Sequence, residues 1–135
     1  MSVELIMEQT GGPEVLELRR VETKVPGRGE AWIEQEAIGV NFLDVTHRTG
    51  VVPVALPSGL GVEGAGRVIA TGDGVTNVNV GDRVAYALGP LGSYASARLI
   101  PADRLVRLPD NLSFDDAASI MLKGLTAHYL LKSTF

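Results

Sequence analysis

Alternation of apolar and polar positions predicts that most of the chain forms short β-strands. Residues 3–8 and 15–21 flank a Gly11-Gly12-Pro13 turn, a pattern typical of a hairpin with a long loop. Residues 30–40 predict a longer strand with one more polar face. Further strands are expected over residues 64–71, 82–88, 92–100 and 103–108. Several short strands at this spacing are typical of a barrel or a sandwich.

A short helix is predicted directly after the long strand. Phe42, Val45 and the stem of Arg48 recur at helical spacing and form one face. Asn41 is placed to act as the N-cap, and Gly50 is placed to end the helix. The pattern therefore predicts a short helix between Asn41 and Gly50.

A second helix is predicted at the end of the chain. Ser113 can cap it, and the acidic residues of the first turn suit the positive end of the helix dipole. An amphipathic stripe then runs to about residue 131, formed by Met121, Leu122, Leu125 and Tyr129.

Composition and charge narrow the class of protein. The chain has 135 residues, 45% of them hydrophobic, which is sufficient for one globular domain. A net charge of −4 offers no general attraction to nucleic acid or to an anionic membrane, and no apolar run approaches the ~20 residues that span a bilayer. The chain contains no cysteine, which excludes disulfides, thiolate catalysis and cysteine-ligated zinc. Without an export signal in this sequence, we expect a cytoplasmic location.

The glycine-rich stretch 57–66 contains a misleading motif. Gly59, Gly61 and Gly64 match the G-x-G-x-x-G spacing of a dinucleotide-binding turn, and Asp82 lies near the distance expected of a ribose-binding acid. That motif requires a strand before it and a helix after it. Here a proline-punctuated loop precedes the glycines and a β-branched run follows them, so we interpret the stretch as a turn into a strand.

Five motifs together indicate a family. In order and at family spacing, they are GGPEVL (11–16), AIGVNFLD (37–44), PSGLGVEGAG (57–66), VGDRV (80–84) and KGLT (123–126). The chain resembles the zeta-crystallin-like quinone oxidoreductase branch of the medium-chain dehydrogenase/reductase superfamily. The resemblance covers the whole chain.

The resemblance implies a mainly β fold, a GroES-like and partly open β-barrel with short helices and a C-terminal amphipathic helix. Residues 1–112 would form the barrel domain, and residues 113–135 a helical segment leading towards a Rossmann domain, of which the sequence contains no strand-glycine-helix unit. Relatives of this kind return to the barrel after that domain. We therefore expect a truncated chain that is inactive alone and tends to self-associate through its unfinished edge and uncovered helix; full-length relatives are often dimers.

The resemblance also implies that catalytic zinc is absent. In zinc-dependent relatives the positions matching Asn41 and Val62 are a cysteine and a histidine ligand, and neither side chain present here binds zinc well. The two histidines, His47 and His128, lie on different elements with no evident third ligand. Glu63 matches a residue beside the metal, and we assign it no chemical role.

The activity implied is hydride transfer from NADPH to a quinone or an activated enone. By motif match, Asn41, Asp44 and Thr46 are the candidate catalytic residues, and His47 is an alternative proton donor. The candidate cofactor-binding residues are Asn41, Phe42, Leu43, Asp44, Val45, Thr46, Val62, Lys123, Thr126 and Tyr129. The sequence does not decide between NADPH and NADH.

Structural interpretations of the same residues stay open. Asn41 could serve only as a helix cap, Asp44 as a first-turn acid, Lys123 as a solvated lysine and Tyr129 as a core residue. Tyrosines that flank the substrate in many relatives are replaced by Thr46 and Val52, which removes stacking against a quinone ring. An aliphatic enone or an aldehyde is therefore also considered.

Two alternatives to an inactive enzyme domain follow. The chain could be a non-enzymatic GroES-like interaction module that acts through its open sheet edge and exposed helix. The second alternative is that another chain supplies the missing half of the enzyme.

Overall fold

A computed structural model describes residues 1–134 as two antiparallel β-sheets with two α-helices. The strands are β1 (Ser2–Met7), β2 (Leu16–Val21), β3 (Glu30–Gly39), β4 (Ser58–Gly59), β5 (Glu63–Thr71), β6 (Arg83–Ala87), β7 (Ala97–Pro101) and β8 (Val106–Arg107). The helices are α1 (Phe42–Thr49) and α2 (Phe114–Lys132), and short 3-10 turns cover Pro13–Val15 and Ala102–Arg104.

The two sheets form a partly open barrel. One sheet has the order β2-β1-β4 and the other β7-β3-β5-β6-β8. Hydrogen bonds of the loop before β7 connect them, because Leu5 N–H donates to Tyr94 and Ser96 N–H donates to Val3, each at 2.8 Å. The mainly β, GroES-like barrel expected from the sequence is confirmed.

One edge of the barrel stays open. Strand β3 pairs with β5 over its whole length, but its ladder with β7 ends at Glu34. After the Gln35 N–H bond to Ser96, residues 36–39 have no strand partner on that side among residues 1–134. An apolar groove of about 520 Å³ lies beside this edge.

The barrel core lies between β3, β5, β6 and β7. Its fully buried side chains include Ile33, Val68, Val84, Tyr86 and Ile100. Helix α2 adds a second layer, in which Ala117 and Ala118 pack against alanines of β5 and β6. Within the described residues, no helix combines the length and hydropathy required to cross a membrane.

The glycine-rich stretch enters a strand, as its flanks predicted. Gly61 has φ of +89°, a conformation that favours glycine, and β5 begins two residues later at Glu63. The dinucleotide-binding interpretation of these glycines is thereby excluded, because no helix follows them.

Two of the strands predicted from the sequence had the wrong boundaries. The strand predicted over 92–100 begins only at Ala97, and the strand predicted over 103–108 shrinks to Val106–Arg107 after a 3-10 turn. In α1 the predicted face points outward, since Phe42 is 80% exposed while Asp44 and His47 are buried. In the apolar stripe of α2, Leu125 and Tyr129 are exposed, whereas Met121 and Leu122 are half-buried.

Candidate functional site

The start of α1 and one side of α2 border an open cleft of about 600 Å³. Five candidate cofactor-binding residues line it, namely Asn41, Phe42, Leu43, Lys123 and Thr126. The other lining residues are Leu122, Ala127 and Leu130. Asn41 and Lys123, which are 82 positions apart in sequence, thus border the same cleft because α2 packs against β3 and β5.

Asn41 caps α1 and also borders the cleft. It is the N-cap residue of α1, and its backbone N–H donates to Asp44 Oδ2 at 2.9 Å. Its side-chain Nδ2 donates to Glu63 Oε2 at 2.7 Å, while the residue also lines the cleft. Helix capping and a site function are therefore compatible.

Asp44 lies beneath the cleft rather than in it. The side chain is 2% exposed, and Oδ2 accepts a second hydrogen bond from the Tyr94 hydroxyl at 2.7 Å. Burial, followed by the bond to Asp44, raises the pKa of Tyr94 above its ordinary value. Asp44 Oδ1 is buried without a hydrogen-bond partner in the described part of the chain. Asp44 therefore anchors the first turn of α1 and does not line the cleft.

The other candidate site residues lie outside the lining of the cleft. Thr46 donates its hydroxyl to the Leu43 carbonyl at 2.7 Å, so this proton is used within α1. Val62 is only 2% exposed, whereas Tyr129 is 59% exposed on the outer side of α2. Neither these two nor Val45 lines the cleft, and their roles stay predictions.

His47 does not line the cleft either. It is buried on the inward face of α1, one turn after Asp44, and its Nδ1 has no hydrogen-bond partner within residues 1–134. Over the same residues, no three His, Cys, Asp or Glu side chains come together as metal ligands.

Glu63 is the residue to which the sequence assigned no chemical role. Its carboxylate is completely buried and accepts hydrogen bonds from Asn41 and from Lys123, whose Nζ lies 2.8 Å from Oε2. A carboxylate in the glycine-rich turn was visible in the sequence, but its partners come from distant elements. Only the packing of α2 on the barrel reveals the cluster.

Comparison with known proteins identifies the class of this domain. Residues 27–110 match the alcohol dehydrogenase GroES-like domain, and the chain belongs to that family. Within it, the chain falls in the quinone oxidoreductase branch, as the sequence motifs had indicated.

Three relatives illustrate the similarity. The quinone oxidoreductase of Pseudomonas aeruginosa is 52% identical over 126 residues, which is 93% of this chain and 39% of the relative. The crystal structure of Escherichia coli quinone oxidoreductase complexed with NADPH superposes with a TM-score of 0.96 at 44% identity, covering 98% of this chain and 41% of that one. A 2-haloacrylate reductase of Burkholderia sp. is 41% identical over 99% of this chain and 42% of its own. The chain thus spans about two fifths of the length of these relatives.

Proposed function

We propose that the chain is the substrate-side domain of a zinc-independent, NADPH-dependent oxidoreductase that reduces a quinone or an activated enone. The observation that supports this most is the cleft, where Asn41 at the start of α1 faces Lys123 and Thr126 on α2. The relatives named as quinone oxidoreductases, one of them solved with NADPH, favour the same chemistry.

The cleft fits one end of a dinucleotide. It combines apolar walls from Phe42, Leu43 and Leu130 with an amide, a hydroxyl and an ammonium group, which suits a planar ring attached to a polar sugar. The glycine-rich turn leads into β5, so it offers no helix N-terminus to the phosphates. In this proposal the phosphates are bound mainly by a Rossmann domain outside residues 1–135.

NADPH, when bound, would supply the hydride. The task left to this chain is to orient the ring and exclude water. The Asn41 amide can hydrogen-bond the carboxamide of the ring, and the ammonium of Lys123 can donate to sugar or phosphate oxygens. Phe42 and Leu43 supply the apolar contact that keeps water from the reacting carbon.

The side chains at positions 46 and 52 bear on the class of substrate that we propose. Thr46 and Val52 offer no aromatic surface for stacking on a quinone. Since a 2-haloacrylate reductase is among the relatives, we include small activated alkenes beside quinones. Asn41 and Thr46, whose hydroxyl already donates to the Leu43 carbonyl, are retained as proposed catalytic residues, whereas the buried Asp44 is proposed only to hold α1 in place.

The direct test compares two polypeptides with NADPH and either a benzoquinone or an activated enone. One is the 135-residue chain, and the other continues through the coding sequence that follows Phe135. We expect turnover of about 1 per second or faster only for the longer polypeptide. No NADPH oxidation by the longer polypeptide would overturn the proposed function, and turnover by the short chain would overturn its expected inactivity.

A second candidate is an interaction module that uses the open edge of β3. Within residues 1–134, positions 36–39 have no strand partner on one side, and the adjacent groove is lined by apolar side chains such as Leu5, Ile38 and Val40. In the enzyme proposal the same groove receives the chain that returns after the Rossmann domain. Light scattering that shows a well-behaved monomer of the short chain, without binding of an apolar dye, would count against the module.

A further inference from the structure

We infer that Glu63 is the positioning residue of the cleft, fixing the two polar side chains that meet the cofactor. This inference rests on the proposed function and assigns a role to a residue that does not itself touch the cleft. Its basis is the set of donors that converge on one buried carboxylate.

The burial of Glu63 is complete, with 0% of the residue exposed. Removing a carboxylate from water is costly unless hydrogen bonds and a counter-charge replace the lost solvation. Oε1 accepts from the backbone N–H of Leu122 at 2.7 Å, and Oε2 accepts from Asn41 Nδ2 at 2.7 Å and from Lys123 Nζ at 2.8 Å. The carboxylate is therefore satisfied by three donors.

These donors connect separate parts of the fold. Glu63 begins β5, Asn41 caps α1, and Leu122 and Lys123 lie in the middle of α2. A regular helix directs the Leu122 N–H to the carbonyl of Ala118, yet here it reaches Glu63. The carboxylate thus fixes both the distance and the register of α2 relative to α1.

Gly39 makes this approach possible. A Cβ at residue 39 would overlap both Glu63 Oε2 and the carbonyl oxygen of Ala118. The end of β3 is therefore adapted to let the carboxylate and α2 come together at one point.

The carboxylate of Glu63 also determines which polar atoms of Asn41 and Lys123 remain available to a ligand in the cleft. An ionised carboxylate only accepts hydrogen bonds, so it requires the NH2 end of the Asn41 amide and leaves Oδ1 as the acceptor end. One ammonium proton of Lys123 is used by Glu63, and two remain for a ligand. The half-exposed Lys123, with 51% of its side chain accessible, is thereby fixed at the cleft wall.

The test uses Glu63→Gln in the full-length polypeptide that contains residues 1–135, with Glu34→Gln as the matched control. Glu34 is an exposed carboxylate on β3, and its substitution removes the same charge outside the cleft. We expect Glu63→Gln to raise the KM for NADPH about tenfold, the loss typical of one charged hydrogen bond. The change in kcat should stay within about twofold, since Glu63 itself touches neither the cofactor nor the reacting atoms.

A double-mutant cycle separates positioning from a general structural effect. If Glu63 acts through Lys123, adding Glu63→Gln to Lys123→Met should raise the KM for NADPH much less than it does in the wild type. Additive effects, or a folded Glu63→Gln protein with the KM of the Glu34→Gln control, would overturn the inference.

A conservative variant covers the case in which Glu63→Gln does not fold. Glu63→Asp retains the buried charge but is one methylene shorter, so we expect the KM for NADPH to rise without an equal loss of kcat. An unchanged KM in that variant contradicts the inference. Failure of the wild-type polypeptide to oxidise NADPH would instead contradict the proposed function itself.

Discussion

Helix α1 buries polar side chains and exposes apolar ones, whereas α2 buries small alanines and leaves several of its large apolar residues exposed. In α1, Asp44 and His47 face the barrel, while Phe42 is 80% exposed. In α2, Ala117 and Ala118 are 2% exposed, but Leu131 is 71% exposed. Neither helix therefore follows the simple rule that its apolar stripe faces the core.

The difference shows two ways of attaching a helix to a barrel. Helix α1 is attached by specific hydrogen bonds of Asp44 to Tyr94 and to its own first turn. Helix α2 is attached by close backbone packing near Ala118 and by the bonds from Leu122 and Lys123 to Glu63. Both arrangements leave apolar side chains beside the cleft, where a ligand or a further domain can cover them.

The largest effect on stability should come from a substitution that blocks the packing of α2 on the barrel. In Gly39→Ala the new Cβ overlaps the Ala118 carbonyl and the Glu63 carboxylate, so α2 or the carboxylate must move. We expect a loss of about 3 kcal/mol in the free energy of unfolding, at the upper end of the usual overpacking cost. Urea unfolding followed by circular dichroism measures it.

Gly124→Ala is the matched control, because the new Cβ there meets no atom of the described part of the chain within 4 Å. Gly124 lies inside α2, so alanine should raise the stability by about 0.5–1 kcal/mol through helix propensity. Equal effects of the two substitutions would show that close packing at Gly39 does not anchor α2.

The attachment of α1 is tested by Tyr94→Phe. This variant removes a donor to the buried Asp44 carboxylate, and we expect a loss of about 2 kcal/mol in unfolding free energy. Tyr129→Phe, at a 59% exposed position, is the control and should change stability by less than about 0.5 kcal/mol. Matching losses in both variants would argue against a specific role of the Tyr94 bond.

The same contact predicts a pH dependence. The pKa of Tyr94 is raised in the folded chain, mainly by burial, so the folded state retains this proton at a pH where the unfolded state loses it. The stabilisation is complete below the unfolded pKa of about 10 and decreases as the pH rises above it. Tyr94→Phe should weaken this alkaline loss without abolishing it, because burial also raises the pKa of Tyr86. An identical alkaline loss in wild type and variant would contradict the assignment.

The contrast between the helices also separates features that local sequence patterns predict from features that depend on contacts between distant residues. The first hairpin, the long strand that follows it, the cap at Asn41 and the helix that starts after Ser113 follow from local patterns, and all are present. The inward face of α1 could not be predicted, since burial of Asp44 depends on Tyr94, 50 residues away. The role of Glu63 was hidden for the same reason, because its donors at positions 41, 122 and 123 become neighbours only when α2 packs on the barrel.

The smallest effect on stability should come from the exposed residues of α2. In the 135-residue chain Leu125 and Leu131 are 54% and 71% exposed, so the double substitution Leu125→Gln with Leu131→Gln should change the unfolding free energy by less than about 0.5 kcal/mol. Self-association should nevertheless fall, because these leucines enlarge the apolar surface available to a second copy. Light scattering over a concentration series measures this change. Val80→Thr, at a 62% exposed position away from α2, should leave the association unchanged. If Val80→Thr reduced association as strongly as the α2 double variant, the exposed half of α2 would have no special part in it.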